Sequence, residues 1–517
     1  APSPARAPSP AHPPPAMASS LGCPRAPPEP WGPDACVWRA PSAAEYRRLQ
    51  EIAYVNHDGA SVAGVYGLML VYPLVVCLHH FVWLALPVPS GGSGAGRSAA
   101  RLRAALLDFV LPTLGLTICF SAPQLYAGHL SALSLLCAAL CAAVGGGRLP
   151  ALFREAAGGK GAMAVPALPK AFTAIDESGL RLRFLAEYRA VIMVTTCLAI
   201  LAVDFPSIFA RSQAKTEEYG YSLMDLGTGC IVCSTAVCSK AAVGARQGRG
   251  PLALLKRVVS LWPVLAIGFS RLFVLRGIDY HVPTSEYGVH WNFFFTIAFV
   301  SLVSTVADLG PIQSGVAGCA LLVAYQCFLS CLGGATYVLQ APRVGLFSAN
   351  REGALSCLGF LGIHWLAVAL GATARPGPAR SAARVVGALL LTAAGTAAAT
   401  WFMASSAVGV PVSRRMCNLP YALLTLSVNA LVLGSLASVD LLWPRPRPPL
   451  PLAYGGVQDS MLVVFLVANL LTGAVNLSVH SLLVPAWAAM LLMAGYSLAW
   501  TVPFGLLRAG GLALKFW

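Results

Sequence analysis

The feature that most constrains this chain is a succession of apolar runs about twenty residues long, separated by short polar breaks, continuing from Val62 almost to the C-terminus. A helix of about twenty residues rises roughly 30 Å, the thickness of a bilayer's hydrocarbon layer, whereas a membrane β-strand needs only about ten residues of alternating polarity. In lipid only structures that satisfy their own backbone hydrogen bonds persist. With 57% hydrophobic residues over 517 and a mean hydropathy of +0.70, the chain carries more apolar surface than a soluble core could bury. The expected fold is all-α, a polytopic transmembrane helical bundle.

Thirteen spans are expected, near 62–86, 105–122, 129–145, 188–204, 222–240, 255–275, 291–307, 312–332, 353–370, 383–404, 419–440, 458–476 and 482–504. An odd number places the termini on opposite sides. Placing the N-terminus in the lumen gives the cytosolic loops 22 of the 35 Lys and Arg residues, so the positive-inside bias predicts a cytosolic C-terminus. The same bias accounts for the net charge of +15 without any nucleic-acid partner. Residues 1–61 are expected to be a disordered tail, since 13 of the first 41 are Pro. No basic segment leads into an apolar one there, so the first span is expected to act as the insertion signal. Residues 62–504 form the membrane domain, and 505–517 a short cytosolic tail.

Of the fifteen Cys, thirteen lie in or beside apolar runs, where they act as small hydrophobes. Cys230 and Cys233 have the spacing of a redox or metal motif but no second pair, so packing is expected and no metal is assigned. The Gly-rich stretches 91–96 and 145–147 read as flexible loops, and no internal repeat of the kind used by many transporters is evident.

Only 11% of residues are charged, yet Leu201 to Val232 holds Asp204, Arg211, Lys215, Glu217, Glu218 and Asp225. Ionisable groups at a membrane boundary are costly and are seldom kept without a use. Asp204 ends an apolar run and is followed by Phe205 and Pro206, which break the helix, so its carboxylate is expected at the interface, partly desolvated and basic. Lys215, eleven residues on, is expected to return to the same site as a cation that neutralises a developing oxyanion. Asp204 and Lys215 are the candidate catalytic pair, with a structural ion pair as the alternative. The other breaks on that side supply candidate substrate-binding residues: Arg211, Glu217, Asp225, Glu286, His290, Asn292, Arg351, Asn418, Asn469 and Asn476. Asp108, Arg271, Asp308, His364, Asp440 and His480 read as polar contacts between helices.

The stretches DFPSIFARSQAKTEEYGYSLMDLGTG from Asp204, SEYGVHWNFFFTI from Ser285, SANREG from Ser348, SRRMCNLPYA from Ser413 and NLLTGAVNLS from Asn469 resemble, in order, those of the GPI inositol acyltransferases. These are the phosphatidylinositol-glycan biosynthesis class W proteins. The resemblance implies an endoplasmic-reticulum enzyme that moves a fatty acyl group, typically palmitoyl, from acyl-CoA to the inositol 2-hydroxyl of glucosaminyl-phosphatidylinositol. It also places the family's catalytic Asp and Lys on Asp204 and Lys215. Acyl-CoA is then a co-substrate and no further cofactor is expected, because a thioester is already activated. Arg181, Arg183, Lys256 and Arg257 are expected to attract the CoA anion on the cytosolic side. A lipid flippase or transporter would keep similar intramembrane charges and is the competing class; a structural subunit of a larger complex is a third.

Overall fold

The computed structural model describes residues 43–53, 57, 59–85, 109, 113–117, 182–245, 250–277, 284–375, 381–442 and 450–514. Every regular element among them is a helix. In chain order these are α1 (Ala43–Ala53), α2 (Val62–Ala85), α3 (Arg183–Ala202), α4 (Leu223–Val237), α5 (Pro251–Ser260), α6 (Trp262–Gly277), α7 (Thr284–Tyr287), α8 (Phe293–Ala307) and α9 (Pro311–Cys331). They continue with α10 (Gly334–Gln340), α11 (Leu346–Ala349), α12 (Arg351–Thr373), α13 (Ala382–Ala404), α14 (Leu419–Leu442), α15 (Leu452–Asp459), α16 (Met461–Ser478) and α17 (Ala486–Ala509).

Eight of the described helices are long and apolar enough to cross a membrane: α2, α3, α9, α12, α13, α14, α16 and α17. Each falls on an expected span. The spans expected near 222–240 and 291–307 are the shorter apolar helices α4 and α8, of 15 residues each, which reach only about 22 Å. The span expected at 255–275 is divided at Leu261, because Pro263 lacks the amide hydrogen and carries a ring that the preceding helix cannot accommodate. The spans expected at 105–122 and 129–145 lie largely outside the described residues, as do Asp108 and Arg181.

Two expected boundaries need correction. Residues 43–53, assigned to the disordered tail, form α1, which carries no Pro and docks through Tyr46. The Tyr46 ring lies 4.4 Å from that of His480 at a tilt of 43°, and its hydroxyl lies 3.3 Å from Ser481 Oγ. Further on, the Ala60 amide donates to the Tyr221 carbonyl at 2.8 Å. At the other end α17 continues to Ala509, past the expected end of the membrane domain, and the Leu514 amide donates to Ser460 Oγ at 3.0 Å.

The centre of the bundle is α3, which packs against α4, α14, α15, α16 and α17. Its apolar window is 83% buried, against 17% for α16 at the periphery. Lipid tails are as apolar as leucine, so close approach and hydrogen bonds hold such helices together. At the α9–α12 contact, a Cβ on Gly318 would stand 3.1 Å from the Gly362 carbonyl, and one on Gly362 would meet Leu322 at 2.5 Å. Deeper in, Tyr188 on α3 donates to Asn429 Oδ1 of α14 at 2.5 Å. Cys230 and Cys233 are buried and free, and Asn429 Nδ2 bonds Cys230 Sγ at 3.2 Å, in keeping with packing.

Candidate functional site

The polar breaks singled out in the sequence converge at one end of the bundle. The ends of α3 and α16 meet there with the starts of α4, α8, α12 and α14. Four helix N-termini therefore face one region, each leaving amide hydrogens unpaired within its helix and a partial positive charge.

Helix α3 stops at Ala202, and Asp204 occupies the following turn, its amide donating to the Leu201 carbonyl at 3.1 Å. The side chain is buried at 4% exposure, and Oδ2 accepts a 2.8 Å hydrogen bond from Asn476 Nδ2 near the end of α16. The carbonyl oxygen Oδ1 of that Asn476 is itself buried with no hydrogen-bond partner. Arg211 Nη2 donates back to the Val203 carbonyl and closes the loop between them.

Lys215, half-exposed, ion-pairs with Glu286 at 2.5 Å rather than with Asp204. The reason lies one residue further on. The Thr216 amide and hydroxyl donate to the Asp225 carboxylate at 3.0–3.2 Å, which pins this part of the loop to the start of α4. Ser222 caps that helix and donates to Asp225 Oδ2 at 2.9 Å, and Arg414 Nε donates to Oδ1 at 2.8 Å. Arg414 Nη1 also reaches Glu286 at 3.5 Å. A continuous chain of charge thus runs Asp225, Arg414, Glu286, Lys215. Burial alone would push the Glu286 carboxyl up, but Lys215 and Arg414 outweigh it and hold it down at about 2. Burial likewise pulls the Arg414 guanidinium down, and Glu286 and Asp225 more than offset that, leaving it above its ordinary range.

A second cluster adjoins the first. Glu352, fully buried in the first turn of α12, receives Arg343 at 2.5 Å and 3.0 Å and Arg415 at 3.0 Å, with Arg351 at 3.9 Å. Arg415 also lies 4.0 Å from Glu218. Asn350 Oδ1 accepts the amides of His290 and Trp291 at 2.7 Å and 3.0 Å, tying the Glu286 loop to the same corner.

Several expected binding residues are occupied by the fold. Asn292 caps α8 and donates to the Gly268 carbonyl at 2.9 Å. Asn418 accepts the Ser413 and Tyr421 amides and donates to the Pro411 carbonyl. Arg351, buried, donates to the Val338 and Ser348 carbonyls, and Asn469 donates to the Phe465 carbonyl within its own helix. Glu217 and the side chain of His290 are exposed beside the site. Of the residues marked in sequence, the structure brings Lys215 to Glu286, Asp225 to Arg414 and Asp204 to Asn476. Arg414, Arg415, Arg343 and Glu352 were missed as a group, although the Arg-Arg pair and the Arg-Glu pair stood inside the stretches SRRMCNLPYA and SANREG.

An all-helical, multi-pass membrane protein with a charged site at one end of its bundle is the class these features define. The family model GWT1 matches residues 46–507, nearly the whole chain. Its relatives include GPI-anchored wall transfer protein 1 of Yarrowia lipolytica, 36% identical over 61% of this chain and 70% of that protein. Phosphatidylinositol-glycan biosynthesis class W protein of Dictyostelium discoideum is 29% identical over 67% of this chain and 77% of its own length. An uncharacterized protein of Arabidopsis thaliana is 36% identical over 64% and 75%. The chain belongs to the GWT1 family.

Proposed function

We propose that this protein is an acyl-CoA-dependent O-acyltransferase of GPI-anchor biosynthesis, acting in the endoplasmic-reticulum membrane on the inositol 2-hydroxyl of glucosaminyl-phosphatidylinositol. Its kinship with proteins named for phosphatidylinositol-glycan biosynthesis supports the pathway. The observation that carries the chemistry is the buried Asp204 carboxylate beside the orphaned Asn476 Oδ1. A buried acceptor without a donor is costly, and an inositol ring would satisfy it with one hydroxyl while a neighbouring hydroxyl presents its proton to the carboxylate.

In this reading the inositol oxygen attacks the thioester carbonyl as its proton passes to Asp204. The new C–O bond forms, the C–S bond breaks, and Asp204 returns the proton to the departing CoA thiolate. Lys215, on the same loop and steered by Glu286, places its ammonium toward the oxyanion of the tetrahedral intermediate. The headgroup phosphodiester is drawn by the four helix N-termini and by Arg415 and Arg343. The terminus preceding α1 and the site lie on the lumenal side.

The test supplies labelled palmitoyl-CoA and a glucosaminyl-phosphatidylinositol analogue to microsomes containing the protein. The expected product is an alkali-labile labelled glycolipid whose formation requires both substrates. Ion-coupled uptake of a solute, indifferent to acyl-CoA and with no labelled lipid, would instead establish a transporter.

A further inference from the structure

Three side chains meet at the Glu286 carboxylate, and they differ in freedom. Glu286 belongs to α7 and is followed closely by Gly288, where φ is +104° and a Cβ would stand 2.5 Å from Asn350 Cα, so this loop is seated against the corner that opens α12. Arg414 lies in a turn closed by Asn418 Oδ1, which accepts the Ser413 amide at 3.1 Å, and its guanidinium, 5% exposed, is anchored by Nε on Asp225. Lys215 is the least confined of the three. Its backbone is held by the neighbouring Thr216 contacts, but its side chain is 45% exposed and ends a flexible four-carbon stem. Both cations address one oxygen: Glu286 Oε1 lies 2.5 Å from Lys215 Nζ and 3.5 Å from Arg414 Nη1, so the carboxylate keeps a counter-ion when the lysine departs.

We infer that Glu286 holds Lys215 in reserve, away from Asp204, and that Arg414 is the positioning residue that lets Glu286 release the ammonium to the reacting carbonyl. The inference rests on the acyltransferase reading and deepens it, adding how the cation of that reaction is stored and delivered. An ammonium set against Asp204 would stabilise its charged form and weaken it as a base, whereas on Glu286 it waits on the same loop and leaves Asp204 to the Asn476 amide. Release has an obstacle, because a carboxylate only 13% exposed is costly to leave without a cation. Arg414 removes it. The ammonium and the guanidinium also repel each other across the shared oxygen, with Arg271 adding a weaker positive field there, so Glu286 holds Lys215 less firmly than a lone carboxylate would. As negative charge grows on the thioester oxygen the ammonium moves to it, and the guanidinium closes on Glu286.

Two variants withdraw the guanidinium charge from Glu286. Arg414→Met is made together with Asp225→Asn, which removes both charges of that buried pair at once, and Arg414→Gln is made alone, keeping an amide donor toward Asp225. Each is purified at full length, checked for folding by elution from a sizing column, and assayed with palmitoyl-CoA and a glucosaminyl-phosphatidylinositol analogue. Both are expected to lower kcat by about tenfold with both KM values unchanged, part of the roughly 10²–10³ lost when an oxyanion donor is removed outright. Adding Glu286→Gln to either is expected to restore kcat several-fold, since no unshared carboxylate then holds the ammonium. Arg414→Lys, which keeps a cation at that oxygen, is expected to stay within a few-fold of native. A further loss on adding Glu286→Gln, an unchanged kcat in both Arg414 variants, or a raised KM in place of a lowered kcat overturns the inference and leaves Glu286 and Arg414 as fixed parts of the fold. Palmitoyl transfer by the native chain in the same assay tests the acyltransferase reading separately.

Discussion

Two buried aspartates, Asp204 and Asp225, stand near each other in sequence and at the same end of the bundle, yet their surroundings differ in kind. Asp225 is saturated: two oxygens accept from the Thr216 amide and hydroxyl, the Ser222 hydroxyl and the Arg414 guanidinium. Asp204 accepts from the neutral amide of Asn476, whose own oxygen lacks a donor. The donors around Asp225 occupy its carboxylate oxygens and leave no room for substrate, whereas Asp204 stands beside an orphaned amide oxygen where a hydroxyl-bearing ligand has a partner to find. In the proposed reading, Asp225 builds the site and Asp204 uses it.

The sharpest way to break this comparison is through stability. Asp225→Ala leaves Arg414 facing Glu286 without its second partner, and losing one member of a buried pair costs about 3–5 kcal/mol. Thermal unfolding of the purified protein should show a large drop, and a comparable drop in Asp204→Asn would erase the distinction. Glu352→Gln should resemble Asp225→Ala, because Arg343 and Arg415 then share a neutral partner.

Lys215→Ala probes the link between the two regions. Glu286 is held at about 2, below its ordinary 4.5, so its contribution to stability is present above 4.5 and is lost as pH falls through about 2. With Lys215 removed, Arg414 and, more weakly, Arg271 are left to oppose burial, the Glu286 carboxyl rises, and the acid limb of the stability profile moves to higher pH. Superimposable melting profiles between pH 2 and 5 would contradict this. The same variant should lower transfer at neutral pH, since the oxyanion loses its cation. A smaller effect is expected at Asn292, where removing the α8 cap by Asn292→Ala costs about 1 kcal/mol and leaves KM for both substrates unchanged. A raised acceptor KM there would move Asn292 from the fold into the binding surface.

Much of this site was legible in the chain. Asp204 beyond an apolar run and before Phe205-Pro206 announced a carboxylate at a helix end, and the convergence of polar breaks followed from counting spans. The partner of Lys215 was not legible, because Glu286 approaches through packing of the Glu286 loop against α12 and the 413–418 turn. Arg414 and Arg415 were visible as charges, but which buried acid each serves depends on the direction of two consecutive side chains. Asn292, Asn418 and Arg351 were visible as polar residues at helix ends, but the capping and carbonyl contacts that hold them in the fold were not legible. The break at Leu261 had its signal in Pro263, which hydropathy averaged over a window conceals. Helix α1 carries too little apolar character to stand out beside a proline-rich segment.

The central claim is that Asp204 takes the proton from the acceptor hydroxyl. The most direct test measures palmitoyl transfer per folded molecule for Asp204→Asn against the native chain, with folding verified by melting temperature and elution from a sizing column. The account predicts a native-like fold and a loss of about 10²–10⁴ in kcat, the range for a removed general base. Transfer within a few-fold of native in the well-folded Asp204→Asn protein would contradict it.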